Sequence, residues 1–336
     1  MQNNVTAHTK KTSKMNLISL GNIQKGKSIF MGFAILWVIA FHYSFLAGTP
    51  LYGISQRGNL GVDIFILLSS FGLCFSLKKN SSYKDFIKRR FKRIIPTWWL
   101  LITIMLIVNI LLHRSHPQSL LQYICYYSGI GWWTFYNVDY GIYYYEWYIP
   151  TLLMFYLFTP LLYKLNNKRI ILLFAASIIA ASLLRHYCTA IRLSLSYERI
   201  PAFIYGIILY KMYSGEMNEK IYRKYLYISS IAGIAAFAYA MMHKTSNGFV
   251  LFSFMFAMPM LLNICYLAFR GIPGKILSFI GTLTLELYML HIYNLPLFAV
   301  LKVIGNRDIA IIATAIILIG ASYIASRIMS RITSKW

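Results

Sequence analysis

Apolar residues fall into long blocks separated by short polar or basic loops. Ten blocks can be marked, at about 29–47, 60–77, 94–112, 145–163, 170–187, 199–213, 225–242, 249–269, 276–301 and 309–328. An α-helix rises about 1.5 Å per residue, so roughly 20 apolar residues cross a hydrocarbon core of about 30 Å. The period-two alternation over about ten residues that marks a transmembrane β-barrel is not seen. The pattern predicts an all-α, polytopic helical membrane protein of about ten transmembrane helices. A further stretch, 119–136, is apolar but rich in Tyr, Trp and Gly. Aromatic residues favour the headgroup level, so an interfacial or re-entrant segment is expected there, with an eleventh span as the alternative. The organisation expected is a basic N-terminal segment (1–28), one transmembrane domain (29–330) and a short tail (331–336).

Composition agrees. Of the 336 residues, 58% are hydrophobic and 12% charged, about half the charge a soluble domain carries. The 33 lysines and arginines against nine acids give a formal net charge of +24. In a soluble chain that excess would suggest nucleic acid; here the distribution gives another reason. With ten spans and both termini inside, roughly three-quarters of the cations fall on the inner side, as the positive-inside rule requires. An N-in, C-in protein of the cell (inner) membrane, in contact with membrane lipids and with no nucleic-acid partner, is expected. The first apolar run starts only at Ile29 and is long enough to span, so no cleavable leader is expected. Cys74, Cys125, Cys188 and Cys265 are widely spaced and suggest no metal site, although Cys125 and Cys188 could pair near the outer face.

Ionisable residues within spans are costly and therefore candidates for function. His42 lies toward the outer end of span 1 and Asp63 at the outer start of span 2. A short loop joins these spans, so the two side chains lie at similar depth, where a carboxylate could orient the imidazole as a general base. The competing reading is a histidine facing headgroups and an aspartate capping span 2. In the next loop Lys78, Lys79, Lys84, Lys88, Arg89, Arg90, Lys92 and Arg93 face Asp85 alone. Contact with anionic lipid accounts for their number. Their arrangement adds something: Arg90 and Arg93, three apart, share a helix face, and guanidinium forks suit phosphate oxygens. A polyphosphate ligand on the inner side fits. Glu286 and His291, five apart, fall on different faces and serve either as core hydrogen-bonding groups or in catalysis. Arg185, Arg192 and Arg199, near Glu198, form an outer cationic group that could receive an acceptor or sit among headgroups.

The stretches Gly32-Phe-Ala-Ile-Leu-Trp-Val-Ile-Ala-Phe-His42, Gly61-Val-Asp-Ile-Phe-Ile-Leu-Leu-Ser-Ser-Phe71 and Phe86-Ile-Lys-Arg-Arg-Phe-Lys-Arg-Ile-Ile-Pro96 resemble the membrane acyltransferase-3 family. Glu146-Trp-Tyr-Ile-Pro150, Arg199-Ile-Pro-Ala-Phe-Ile-Tyr-Gly206 and Thr284-Leu-Glu-Leu-Tyr-Met-Leu-His291 extend the resemblance over about residues 25–325. It implies a ten-span enzyme that moves an acyl group, usually acetyl, from acyl-CoA to a hydroxyl of a sugar, polysaccharide or lipid-linked acceptor, with no metal. By this resemblance His42 matches the family's span 1 histidine, and Arg90 with Arg93 its Arg-x-x-Arg motif. Arg89 and Lys27 join the expected donor site, and Glu146, Arg199, Glu286 and His291 serve the acceptor or support the site. Met31 stands where the family usually has an arginine eleven residues before the histidine, and a lysine one turn earlier could replace it. Ser70 stands where the family usually has glycine. A transporter or flippase for a lipid-linked sugar, its charges lining a path, is the rival reading.

Overall fold

The computed structural model describes residues 18–44, 47–50, 52–113, 116–135, 147–187, 191–293, 303 and 307–334. Among these there is helix and no strand. The main helices are α1 (Lys27–His42), α2 (Gly61–Lys79), α3 (Tyr83–Leu111), α4 (Tyr148–Lys164), α5 (Asn167–Tyr187), α6 (Ile200–Tyr213), α7 (Glu219–Met242), α8 (Asn247–Ala268), α9 (Ile272–Thr282), α10 (Thr284–Tyr293) and α11 (Arg307–Ser334).

Each of the ten apolar blocks carries helix. Six stretches are long and apolar enough to cross a membrane: Tyr52–Lys79, Tyr83–Leu111, Asn167–Tyr187, Lys220–Met242, Asn247–Ala268 and Ile309–Thr333. The remaining blocks depart from the expected uniform rods. Helix α1 has 16 residues, α4 has 17 and α6 has 14. The block at 276–301 is not one helix: it breaks at Leu283 into α9 and α10. Among the described residues the 119–136 stretch holds the short helices Leu120–Ser128 and Gly131–Phe135. The nine residues of the first rise about 14 Å. Gly129, at φ +80°, turns the chain between them against the Trp98 ring. Cys188 lies outside the described residues, and Cys74, Cys125 and Cys265 are free thiols.

Helices α2 and α6 are apolar on nearly every side and buried on nearly every side, as an all-round hydrophobic helix should be. They form the centre of the bundle. By contrast, α5, α7 and α11 turn most of their length outward, where lipid would meet their leucines and isoleucines.

Close backbone approaches fix the helices around this centre. A Cβ on Gly32 of α1 would stand 1.9 Å from the Leu277 carbonyl oxygen, and one on Gly281 of α9 would stand 2.0 Å from that of Ser28. The other side of α1 meets the start of α2 in the same way, with Gly58 against the Trp37 carbonyl and Gly61 against that of Ala34. Gly206 of α6 packs directly on Leu67 and the Ser70 hydroxyl, and that hydroxyl donates to the Leu67 carbonyl at 2.9 Å. Small residues let helix backbones touch where lipid provides no hydrophobic drive to association. They set α1 antiparallel to α2, with Lys27 beside Gly72 and Trp37 and Phe41 beside Gly58.

Replacing Gly32 or Gly281 by Val should therefore overpack the α1–α9 contact and cost about 1–3 kcal/mol. The thermal midpoint of the detergent-solubilised protein should fall, whereas Gly53→Ala, which meets open space, should leave it unchanged.

Candidate functional site

At the Lys27 end of the bundle a cavity of about 490 Å³ opens between α1, α2, α3, α4, α9, α10 and α11. Lys27, Arg89, Arg90, Lys92 and Arg93 line it, and Glu286 is its one lining carboxylate. The basic run of α3 starts on a cap in which the Ser82 hydroxyl accepts from the Asp85 backbone N–H. Helical periodicity then turns Arg89, Arg90 and Arg93 toward the cavity. The Lys27 ammonium reaches over Gly72, whose missing side chain makes the room: a Cβ there would lie 2.3 Å from Nζ. Met31 lines the same cavity one turn along. A lysine thus brings cationic charge to the place that Met31 leaves neutral. Among the described residues no carboxylate pairs with Lys27, Arg90 or Arg93. The Arg90 guanidinium lies 5.6 Å from the Phe86 ring centroid, and its buried Nε has no hydrogen-bond partner. Buried charges are ordinarily paired, and among the described residues the five cations outnumber the one carboxylate that shares their cavity.

The other end of α1 carries His42. Fifteen residues at 1.5 Å each place it about 22 Å along the helix from Lys27. The ring of His291 faces it, centroids 5.1 Å apart. Tyr43 holds the two helix ends together by donating from its hydroxyl to the His291 backbone carbonyl. His291 is buried; its Nδ1 lies 2.6 Å from the Tyr288 carbonyl and 3.2 Å from that of Leu287. Carbonyls only accept, so Nδ1 carries the proton and donates. Nε2, buried with no hydrogen-bond partner among the described residues, is left to act as the acceptor of the neutral ring.

Asp63 sits in the first turn of α2, one layer inside. Its ion pair is with Arg199, Nε to Oδ1 3.7 Å, and not with His42 as the sequence spacing suggested. A permanent guanidinium charge compensates a desolvated carboxylate better than an imidazole does, and Arg199 arrives from 136 positions away, beyond the reach of local spacing. The network continues: Arg199 contacts Glu198 at 3.6 Å, Arg185 bonds Glu198, and the Arg199 guanidinium lies over Trp147 at 5.2 Å. Glu286, expected to serve the acceptor or support the site, faces the cationic cavity. Glu146 and the side chain of Arg192 lie outside the described residues.

Three features escaped the sequence reading. Tyr148, Tyr156 and Tyr288 line the cavity, although Tyr148 and Tyr288 drew notice only within stretches that carry the resemblance and Tyr156 not at all. Gly72 has a role only because Lys27 lies across it. The hydroxyls of Ser326, Ser330 and Thr333 also face the cavity from α11. Their i, i+4, i+7 spacing is a one-face signature that could have revealed them.

Among the described residues the protein is an all-helical bundle with helices able to cross a membrane, with a cationic cavity at one end and two apposed histidines at the other. The chain belongs to the acyltransferase-3 family: the acyltransferase-domain profile matches residues 31–330. It is therefore an acyltransferase, and the family implies an acyl donor. A protein of Acidianus two-tailed virus named as an acetyltransferase is 28% identical over 295 residues, covering 83% of this chain and 86% of that one. The peptidoglycan O-acetyltransferase OatA of Listeria monocytogenes is 31% identical over 116 residues, which is 32% of this chain and 18% of OatA. No solved structure matches.

Arg199→Ala should strand Asp63 as an uncompensated buried charge and cost about 3–5 kcal/mol, the usual result of removing one partner of a buried pair. The paired substitution of Asp63→Leu with Arg199→Leu should recover much of that loss. Thermal unfolding in detergent, compared between the single and double variants, checks it.

Proposed function

We propose that the protein is an integral membrane O-acyltransferase. It would move a group, acetyl in the first instance, from acyl-CoA on the cytoplasmic side to a hydroxyl of a sugar, polysaccharide or lipid-linked acceptor reached from the other face. The observation that carries this reading is the unpaired cationic cavity. A pyrophosphate and a 3′-phosphate are multiple anions at fixed spacing, and Arg89, Arg90, Arg93 and Lys27 offer guanidinium forks and an ammonium against the single lining carboxylate of Glu286. The chain runs through the membrane as ten N-in, C-in crossings, the shorter helices α1, α4 and α6 and the broken α9–α10 pair being packed within the bundle. That orientation puts the cavity on the cytoplasmic side and the histidines toward the outer side, in the cell membrane.

In the reaction the acceptor oxygen attacks the thioester carbonyl. His42 takes the hydroxyl proton, the carbon–sulfur bond breaks, and the thiol leaves with a proton returned to it. His291, fixed as one tautomer by two backbone carbonyls, positions and electrostatically supports His42. Asp63 acts one step removed, holding Arg199 and Trp147 in the layer where the acceptor would enter. OatA is named as an acetyltransferase of peptidoglycan, which supports a saccharide acceptor.

Arg90→Ala together with Arg93→Ala should weaken acetyl-CoA binding by about ten- to a hundredfold per residue, since each charge-assisted contact contributes about 1.5–3 kcal/mol. Lys at both positions should restore it only in part. His42→Ala should leave binding intact and reduce transfer by about 10²–10⁴-fold. Isothermal or radioligand binding of acetyl-CoA, beside transfer of labelled acetyl by the purified protein, separates the two effects. A His42→Ala protein with wild-type transfer would remove this residue from the mechanism, and absence of transfer from a donor-binding wild type would favour a transporter.

The orientation is tested separately. A cysteine at position 84 should resist an impermeant thiol reagent in intact cells and react once the membrane is opened. Labelling from outside would reverse the topology.

A further inference from the structure

We infer that Phe65, Tyr148 and Tyr288 form the end wall of the donor cavity and set the length of the acyl group it accepts, admitting short chains and excluding longer ones. This rests on the acyl-CoA reading above and adds the residues that would select among donors. All three side chains line the cavity, and neither His42 nor His291 does. The Tyr148 and Tyr288 rings lie 4.7 Å apart between centroids, and Phe65 lies 6.3 Å from Tyr148. On its far side Tyr288 touches His291, centroids 5.4 Å apart. The wall between the cavity and the histidines is therefore about one ring thick.

Its position follows from the helices that carry it. Phe65 lies seven residues before Gly72 in α2, about 10 Å deeper than the Lys27 ammonium. Tyr148 opens α4 and Tyr288 lies in the middle of α10. The rings are buried at 1%, 6% and 8% relative exposure, so the space behind them is already filled. A donor anchored by its phosphates at the cationic mouth would bring its thioester end to this wall. A methyl group needs little room there, while each further methylene has to displace an aromatic ring. In a close-packed pocket one methylene more or less changes discrimination by about 10–200-fold.

The test uses binding to the purified full-length protein, so it needs no acceptor. Labelled acetyl-CoA is displaced by acetyl-CoA, butyryl-CoA or hexanoyl-CoA. The wild type should bind hexanoyl-CoA at least about tenfold more weakly than acetyl-CoA. Tyr288→Ala and Tyr148→Ala should shrink that gap to within about threefold, and Tyr288→Phe and Tyr148→Phe should preserve it. Phe65→Leu, a smaller change in the same wall, serves where an alanine variant fails to fold, and should improve butyryl-CoA binding selectively. Equal wild-type affinity for the three donors, or a gap that persists in every folded wall variant, would overturn the inference while leaving acyl-CoA binding intact. Failure of the wild type to bind any of the three would instead overturn the donor reading itself.

Discussion

Like charges held together in excess of their counter-charge set the terms for the rest of this structure. Two unit charges about 6 Å apart repel by about 2–3 kcal/mol at an effective dielectric near 20, and Lys27, Arg89, Arg90, Lys92 and Arg93 all face one cavity. Among the described residues the bundle sets one carboxylate, Glu286, against these five cations, and it does not let them splay apart. Backbone-to-backbone contact of Gly32 and Gly281 with the partner helix pins α1 against α9. The bare Gly72 backbone then leaves room for the Lys27 ammonium on the opposing helix. A polyanion relieves the repulsion and gains every contact at once, so stability withheld from the free protein reappears as affinity.

The opposite end of the bundle treats charge in the reverse manner. Asp63, Arg199, Glu198 and Arg185 follow one another with alternating sign, and three of the four are almost fully buried. Each charge there has a partner within the chain, which is what a desolvated interior requires of a framework. The contrast separates the two arginine groups by role more firmly than their sequence contexts do. Paired arginines brace the bundle; those of the cavity are left with charge to spare.

Much of this was legible in the sequence, and the limit has a physical form. Apolar blocks marked the helices because bilayer thickness sets a length that a sequence must meet. The Arg90–Arg93 face and the Lys27–Met31 alternative were legible too, because helical periodicity acts over three or four residues. Asp63 was misjudged for the complementary reason. Its nearest charged neighbour in space is separated from it by more than a hundred residues, so a short loop between two helices drew attention to the wrong partner. His42 and His291 meet through the same kind of long-range packing. The break at Leu283 was missed because apolar content runs through it unchanged. Only the tight Gly281 contact and the flanking threonines give a backbone reason for two short helices in place of one long one.

The histidine pair constrains what can follow proton transfer. His291 has committed Nδ1 to backbone carbonyls, so it exchanges protons through Nε2 alone. The ring of His42 lies beside it, centroids 5.1 Å apart, and two imidazolium charges that close would repel. In the acyl-transfer reading proposed above, a proton taken up from an acceptor would therefore have to leave before the next turnover, and the departing thiolate is a chemically matched recipient.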